Sequence, residues 1–203
     1  MSLIAFPYDG SIKLEAYEEG LEWDVQMTIS RAGRITTRQL PGARWRAKAT
    51  FARRGLAELD LRGQDEALIA SLRGGANTLA MYHPVRQAPL GTLRGTPVLN
   101  TAVAVGDATM QLATAAGYTV LRGDLLAIGP GGQRVMVVTD RTATGGGLLN
   151  VTFEPASRYA VGAGLAVVWN QPTTTFIQMA SNFSSRWENG SQADAIELEL
   201  VEV

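Results

Sequence analysis

Catalysis needs polar groups that converge, and the residue types present restrict what could converge here. His83 is the only histidine and cysteine is absent. That excludes thiolate nucleophiles, cysteine-held zinc or iron–sulfur centres, and sites built from two or three histidines. A serine–histidine pair would have to use His83, yet no Gly-x-Ser-x-Gly elbow occurs, and a histidine just before Pro84 reads as a turn residue. Glu18, Glu19, Glu22 and Asp24 lie close enough together to supply the acid and base of a glycan-cleaving enzyme; the simpler reading is a solvated strand face and its turn. The run Gly129-Pro130-Gly131-Gly132-Gln133-Arg134 lacks the Lys-Ser/Thr ending of a phosphate loop and reads as a hairpin turn. Arg122-Gly123-Asp124 spells a tripeptide that some adhesive proteins display, but Leu125-Leu126-Ala127-Ile128 behind it suggests a tight turn entering a strand. The expectation is a protein that is not an enzyme, with no cofactor and no metal.

The elements that would position these residues are almost all strands. Trp23, Val25, Met27 and Ile29 alternate with Glu22, Asp24, Gln26 and Thr28, the period-two pattern of a half-buried strand. A turn at Arg31-Ala32-Gly33-Arg34 and a return strand from Ile35 to Leu40 complete a hairpin, stopped by Pro41-Gly42. The alternation resumes with Trp45, Ala47, Ala49 and Phe51 on one face and Arg44, Arg46, Lys48 and Thr50 on the other. One helix is expected between Glu58 and Arg73, split by Gly63 so that Gln64 to Leu72 is its secure part, and ended by Gly74-Gly75. Asn77 to Tyr82 reads as a strand. Near the end, Thr173 to Ala180, Asn182 to Glu188 and Ala195 to Val203 read as strands, with a turn at Asn189-Gly190; the last sets Ile196, Leu198 and Leu200 against Glu197 and Glu199.

Between these two stretches the texture changes. Gly91 to Val168 holds nine charged residues but 13 of the 22 glycines. Strands are expected at Pro97–Val105, Thr109–Ala113, Asp124–Ile128, Val135–Thr139, Leu148–Phe153 and Leu165–Trp169, spaced as in a small barrel or sandwich. The predicted fold class is mainly β: a β-sandwich with one helix, discontinuous over 1–89 and 171–203, with a small β-barrel or sandwich domain inserted at 90–170. The C-terminal acidic strand needs a partner, and the cationic strand of Arg44, Arg46 and Lys48 is electrostatically suited to lie beside it. The same faces could instead meet between copies, which makes Arg44, Arg46, Lys48, Glu197 and Glu199 the candidate subunit interface.

Twelve of the 18 Lys and Arg residues lie before position 87. A single-strand nucleic-acid platform would put aromatics and cations on one face, whereas alternation sets Trp45 and Phe51 opposite Arg44, Arg46 and Lys48. With a formal net charge of -1, specific nucleic-acid binding is not expected. No stretch is apolar enough to span a bilayer, and the start, Met1-Ser2-Leu3-Ile4-Ala5-Phe6-Pro7, lacks the pattern of a secretion signal, so no membrane association is expected.

The order of features resembles that of the distal tail proteins of long-tailed bacteriophages. The likeness rests on Trp23 in an early strand, Leu40-Pro41-Gly42-Ala43-Arg44-Trp45, the helix ending Leu72-Arg73-Gly74-Gly75, and Asn77-Thr78-Leu79 through His83-Pro84. The insert adds Pro89-Leu90-Gly91, Leu121-Arg122-Gly123-Asp124 and Phe153-Glu154-Pro155-Ala156-Ser157-Arg158. These are strand, turn and core residues rather than a catalytic signature. The resemblance implies a β-sandwich with a helix, often carrying an extra β-domain. It also implies a homo-oligomeric ring, commonly a hexamer, that joins the tail tube to the tip or baseplate. Its partners would be copies of itself, the tail tube protein and the tail-tip hub proteins; it would be made in the bacterial host cytoplasm and reside in the virion tail. Two rivals remain: a carbohydrate-binding module that attaches to a host surface glycan through the insert, and, further behind, a glycan-cleaving enzyme using the early carboxylates.

Overall fold

The computed structural model describes all residues except Ser11, Leu40, Pro41, Pro130, Phe183, Asn189, Gly190 and Ser191, and leaves the side chains of Gln39, Glu188 and Gln192 undescribed. The expected stop at Pro41 and the Asn189-Gly190 turn therefore lie outside the described residues. The chain forms strands β1 (Leu3–Ala5), β2 (Leu14–Glu22), β3 (Val25–Ile29), β4 (Ile35–Gln39), β5 (Arg44–Phe51) and β6 (Arg54–Gly55), then helix α1 (Leu59–Leu72) and β7 (Thr78–Met81). A run of short strands follows: β8 (Val98–Leu99), β9 (Thr109–Ala113), β10 (Thr119–Val120), β11 (Leu125–Ile128), β12 (Gln133–Val137), β13 (Arg141–Thr142) and β14 (Leu148–Glu154). The last are β15 (Thr174–Gln178), β16 (Trp187–Glu188), β17 (Gln192–Ala193) and β18 (Glu197–Glu202). The fold class is the one the sequence predicts: mainly β, with one α-helix, a sandwich-like part and a small barrel-like part.

The chain divides into two compact units. One comprises Met1–Gly20, Trp45–Met81 and Thr175–Val203; the other comprises Leu21–Arg44 and Tyr82–Thr174. The expected limits were 1–89 with 171–203, and 90–170, so the segments 21–44, 82–89 and 171–174 group differently.

The first unit is built on a six-stranded sheet in the order β1-β7-β15-β18-β5-β2, which draws strands from both ends of the chain. Alternation explains its two faces. Trp45, Ala47, Ala49 and Phe51 of β5, Leu198 and Leu200 of β18 and Phe176 of β15 are all buried, while Arg44 and Arg46 of β5 and Glu197 and Glu199 of β18 are exposed. Each buried aliphatic or aromatic side chain contributes on the order of 1.5–3 kcal/mol. Glu202 also points to the buried face, where Trp45 N–H donates to its Oε2 at 3.3 Å.

Helix α1 runs unbroken through Gly63, against the expected split. A mid-helix glycine costs about 1 kcal/mol relative to alanine, and a buried ionic network spans the position. Arg62 donates to Glu66 Oε1 one turn on at 2.8 Å, to the Asp194 carbonyl at 2.7 Å and to Ser185 Oγ at 2.8 Å. Asp65 receives Arg54 Nε at 3.2 Å. The helix ends with Arg73 in the left-handed region and with Gly74 and Gly75 at φ 60° and 90°. A side chain at Gly75 would meet the Gln178 carbonyl at 2.8 Å, so the close approach of helix end and β15 requires glycine.

The barrel-like part of the second unit has a five-stranded antiparallel sheet in the order β11-β12-β14-β9-β8. Its interior is a continuous cluster that includes Leu99, Leu112, Val120, Leu126, Val135, Leu149 and Phe153, with Trp169 packed against it. The segment 161–168, expected in part as a strand, instead closes the sheet. It bonds to β8 through Leu99 N–H to the Leu165 carbonyl, and to β11 through Ala127 N–H to the Val168 carbonyl and its reciprocal. Both edges of this sheet are thereby occupied.

Candidate interaction surface

The residues singled out as a subunit interface lie on the exposed face of the first sheet. β18 pairs antiparallel with β5, setting Glu199 opposite Lys48 and Glu197 opposite Thr50. Lys48 Nζ reaches diagonally to Glu197 Oε2 at 2.9 Å. That hydrogen bond raises the Lys48 pKa above its ordinary value against the opposing effect of burial, and the charges of Glu197, Glu18 and Glu199 add to the rise. The structure thus joins two of the five candidates inside one chain. Arg46 and Glu199 belong to the same surface but not to that bond: Arg46 Nη1 lies 3.4 Å from Met179 Sδ, and Arg44 is exposed at the start of β5.

Between these side chains runs an open groove of about 420 Å³, lined by Glu18, Gly20, Arg46, Lys48, Met179 and Glu199. Acidic and basic groups alternate across it, an arrangement suited to a patterned polypeptide surface rather than to a single substrate charge. Beside Glu199 of β18, the acidic contribution comes from β2, an element that reading the sequence did not identify. β2 is the terminal strand of its sheet, and its nine residues carry Glu15, Glu18, Glu19 and Glu22 with no lysine or arginine.

Other candidates resolve into local structure. His83 Nδ1 accepts Val85 N–H at 3.1 Å and Arg86 N–H at 3.0 Å, which makes the imidazole the cap of a turn. Burial, followed by the nearby Arg86 charge, lowers its pKa to about 4, so the neutral acceptor is the form held at pH 7. The early carboxylates lie along β2 and the link to β3, with Tyr17 OH donating to Glu19 Oε2 at 3.1 Å. In the Arg-Gly-Asp tripeptide, Asp124 is buried and accepts backbone N–H groups from Leu90, Gly91 and Leu121 at 2.6–3.2 Å. Arg122 pairs with Asp140 at 3.2 Å. The Asp124 carboxylate therefore ties two loops of the barrel together and is not offered to a partner.

In the barrel, a shallow groove of about 460 Å³ is lined by Asp107, Thr109, Gln111, Arg141, Asn150 and Thr152, among others. Its amides are linked in a ladder, Asn100 to Gln111 at 2.5 Å and Gln111 to Asn150 at 2.9 Å. Among the described residues no group of three or more histidine, cysteine or carboxylate side chains could hold a metal ion. No helix among them is long and apolar enough to cross a membrane.

The hairpin β3–β4 departs most from expectation. Its strands pair only with each other among the described elements, from Val25 opposite Gln39 to Ile29 opposite Ile35. The strand was expected to be half-buried, yet Trp23, Val25, Met27, Ile29 and Ile35 are 48–65% exposed. The alternation is real, but its apolar face stays exposed among the described residues.

Compared with protein families and with curated protein sequences, the chain matches no family model and no curated sequence.

Proposed function

We propose that this chain is a structural component of a phage tail tip, a subunit of a homo-oligomeric ring that joins the tail tube to the tip or baseplate. The observation that carries the reading is the contrast between its two largest sheets. The barrel sheet has both edges occupied by the segment 161–168, whereas the six-stranded sheet ends on a long strand, β2, partnered on its β5 side. An exposed strand edge invites pairing with another chain, and a repeated head-to-tail contact of that kind closes into a ring when its rotation allows. The resemblance to distal tail proteins supplies the tail tube and tip as neighbours and the virion tail as the location. In this reading the protein works by rigidity and complementary surfaces, not by chemistry.

The test is negative-stain microscopy and mass photometry of the purified protein. Closed rings with a central channel are expected, and a monomer across the micromolar range ends the proposal. A second reading, attachment to a host surface glycan, is favoured by the polar groove beside β9 and β14, whose amide and carboxylate groups match a polyhydroxylated ligand. A glycan array with Gln111→Ala and Asn150→Ala variants separates the two, since binding lost in both variants would support the glycan module.

A further inference from the structure

The amides on the outer face of the barrel sheet all point one way. Met110, Leu112, Leu149 and Val151 belong to the core, so alternation turns the residues between them outward. Register then sets Gln111 of β9 opposite Asn150 of β14, with Thr109 opposite Thr152 beside them. Asn100 Nδ2 donates to Gln111 Oε1 at 2.5 Å, and Gln111 Nε2 donates to Asn150 Oδ1 at 2.9 Å. Each oxygen along the row is used by the amide before it. The group left to offer at the β14 end is therefore the Asn150 NH2, a donor. Arg141 lines the same groove. It lies in β13, which packs against β14 and is held by the pairing of Arg141 with Val120. Its side chain is exposed and makes no hydrogen bond or ion pair among the described residues. Other barrel arginines are engaged: Arg122 with Asp140, and Arg94 with the Gly91 and Leu93 carbonyls.

We infer that this groove binds a polysaccharide that carries carboxylate groups, with a carboxylate held by Arg141 and Asn150 and the neighbouring hydroxyls held by Gln111, Thr109 and Thr152. The inference deepens the glycan reading given above and rests on it. It adds the charge of the ligand and the residue that selects that charge.

Three physical arguments select this ligand. A guanidinium is a planar fork that fits a carboxylate through two parallel bonds, and such charge-assisted bonds are about twice as strong as neutral ones. The groove is lined by no aromatic ring, so a neutral sugar would find polar contacts alone, and those only replace bonds to water. An acidic peptide fits less well. Extended peptides gain affinity by adding to an open strand edge, and both edges of this sheet are occupied. Asp107, the other charged residue in the lining, spends Oδ2 on the Ala104 N–H at 2.7 Å. Its charge repels a second carboxylate and directs the acidic group of the ligand toward Arg141.

The test passes the full-length protein over an array of oligogalacturonate, oligomannuronate and sialyllactose, each beside its methyl ester, with neutral glycans and poly-glutamate as further probes. At least one carboxylated glycan should be retained, and its esterification should weaken binding about 10- to 100-fold. Arg141→Gln should cost the same factor, while Arg141→Lys, which keeps the charge without the fork, should fall between. Both variants should melt with the native protein, because the Arg141 side chain is exposed. Esterification alters the ligand alone, so that comparison holds whatever a substitution does to the fold. Esters or neutral glycans bound as tightly as the acids, with Arg141→Gln without effect, overturn the acidic specificity and leave the glycan reading standing. Poly-glutamate retained in place of every glycan assigns the groove to an acidic polypeptide and overturns both, as does retention of no probe.

Discussion

Arg54 and Asp65 form an ion pair with side chains 4% and 0% exposed, joined by a single hydrogen bond of 3.2 Å. The geometry is not the two-pronged one that makes arginine–carboxylate pairs strong. Arg54 Nη2 and Asp65 Oδ1 are both buried and make no hydrogen bond among the described residues. Burial accordingly raises the Asp65 pKa above its ordinary 3.8, overriding the Arg54 hydrogen bond and the charges of Arg54 and Arg62. Removing one partner should therefore be far worse than removing both. Asp65→Ala strands a buried guanidinium, for which about 3–5 kcal/mol is typical. Glu58, half-exposed and 3.6 Å from Arg54, offers partial replacement, which places the expected loss near 3 kcal/mol. With a urea slope of about 2 kcal/mol per molar, the midpoint falls by about 1.5 M. Arg54→Met combined with Asp65→Leu should instead unfold within about 1 kcal/mol of the native protein, or above it. A carboxyl whose folded pKa exceeds its unfolded one favours the fold when protonated. That contribution is complete below about pH 3.8 and is lost as pH rises through the folded value, so the advantage of the double variant should grow between about pH 3 and 7. Urea unfolding of all four combinations checks this. A double variant as unstable as Asp65→Ala would show that the pair is net stabilising and that the reasoning is wrong.

Two further outcomes follow from named contacts. Because the folded pKa of His83 is depressed from 6.5 to about 4, the stability that it supplies is complete above about pH 6.5 and is lost as pH falls through 4. Allowing for partial exposure, the loss is ~1 kcal/mol, read as a drop in melting temperature that His83→Asn, which keeps a turn-capping acceptor without titrating, should abolish. Phe153, fully buried in the barrel cluster, should cost about 3–5 kcal/mol when changed to alanine; a loss under about 1 kcal/mol in guanidinium titrations would mean that the barrel does not fold around that ring.

Legibility in the sequence followed the strength of periodicity. β5 and β18 alternate cleanly and carry opposite charges on their polar positions, so both the strands and their adjacency could be read; the Lys48–Glu197 pair is the consequence. β2 was hidden because Leu14, Tyr17 and Leu21 recur at the i, i+3, i+7 spacing of a helix, and only its sheet partner decides the matter. The helix was read, but its continuity through Gly63 depends on Arg62, a residue whose hydropathy points to the surface and whose partners, Ser185 and Asp194, lie more than a hundred positions away. Closure of the barrel was equally out of reach. Leu165 to Trp169 has the composition of a strand, while its work is to bridge two edges at once.

The candidate surface shows where periodicity stops being informative. Alternation in β3 says that one face is apolar, and it cannot say which molecule covers that face. In β5 and β18 the cover comes from within the chain, so expectation and structure coincide. In the hairpin the same pattern is fully developed and stays exposed. Leaving such a face in water would be a standing liability for self-association, and exposed strands are commonly blunted by charge. Here the charges do not blunt at random: they are all positive on the hairpin and all negative on the terminal strand of the sheet. Segregation of that kind weakens contact between like surfaces and strengthens contact between unlike ones. An edge meant only to stay alone would be served equally well by mixed signs.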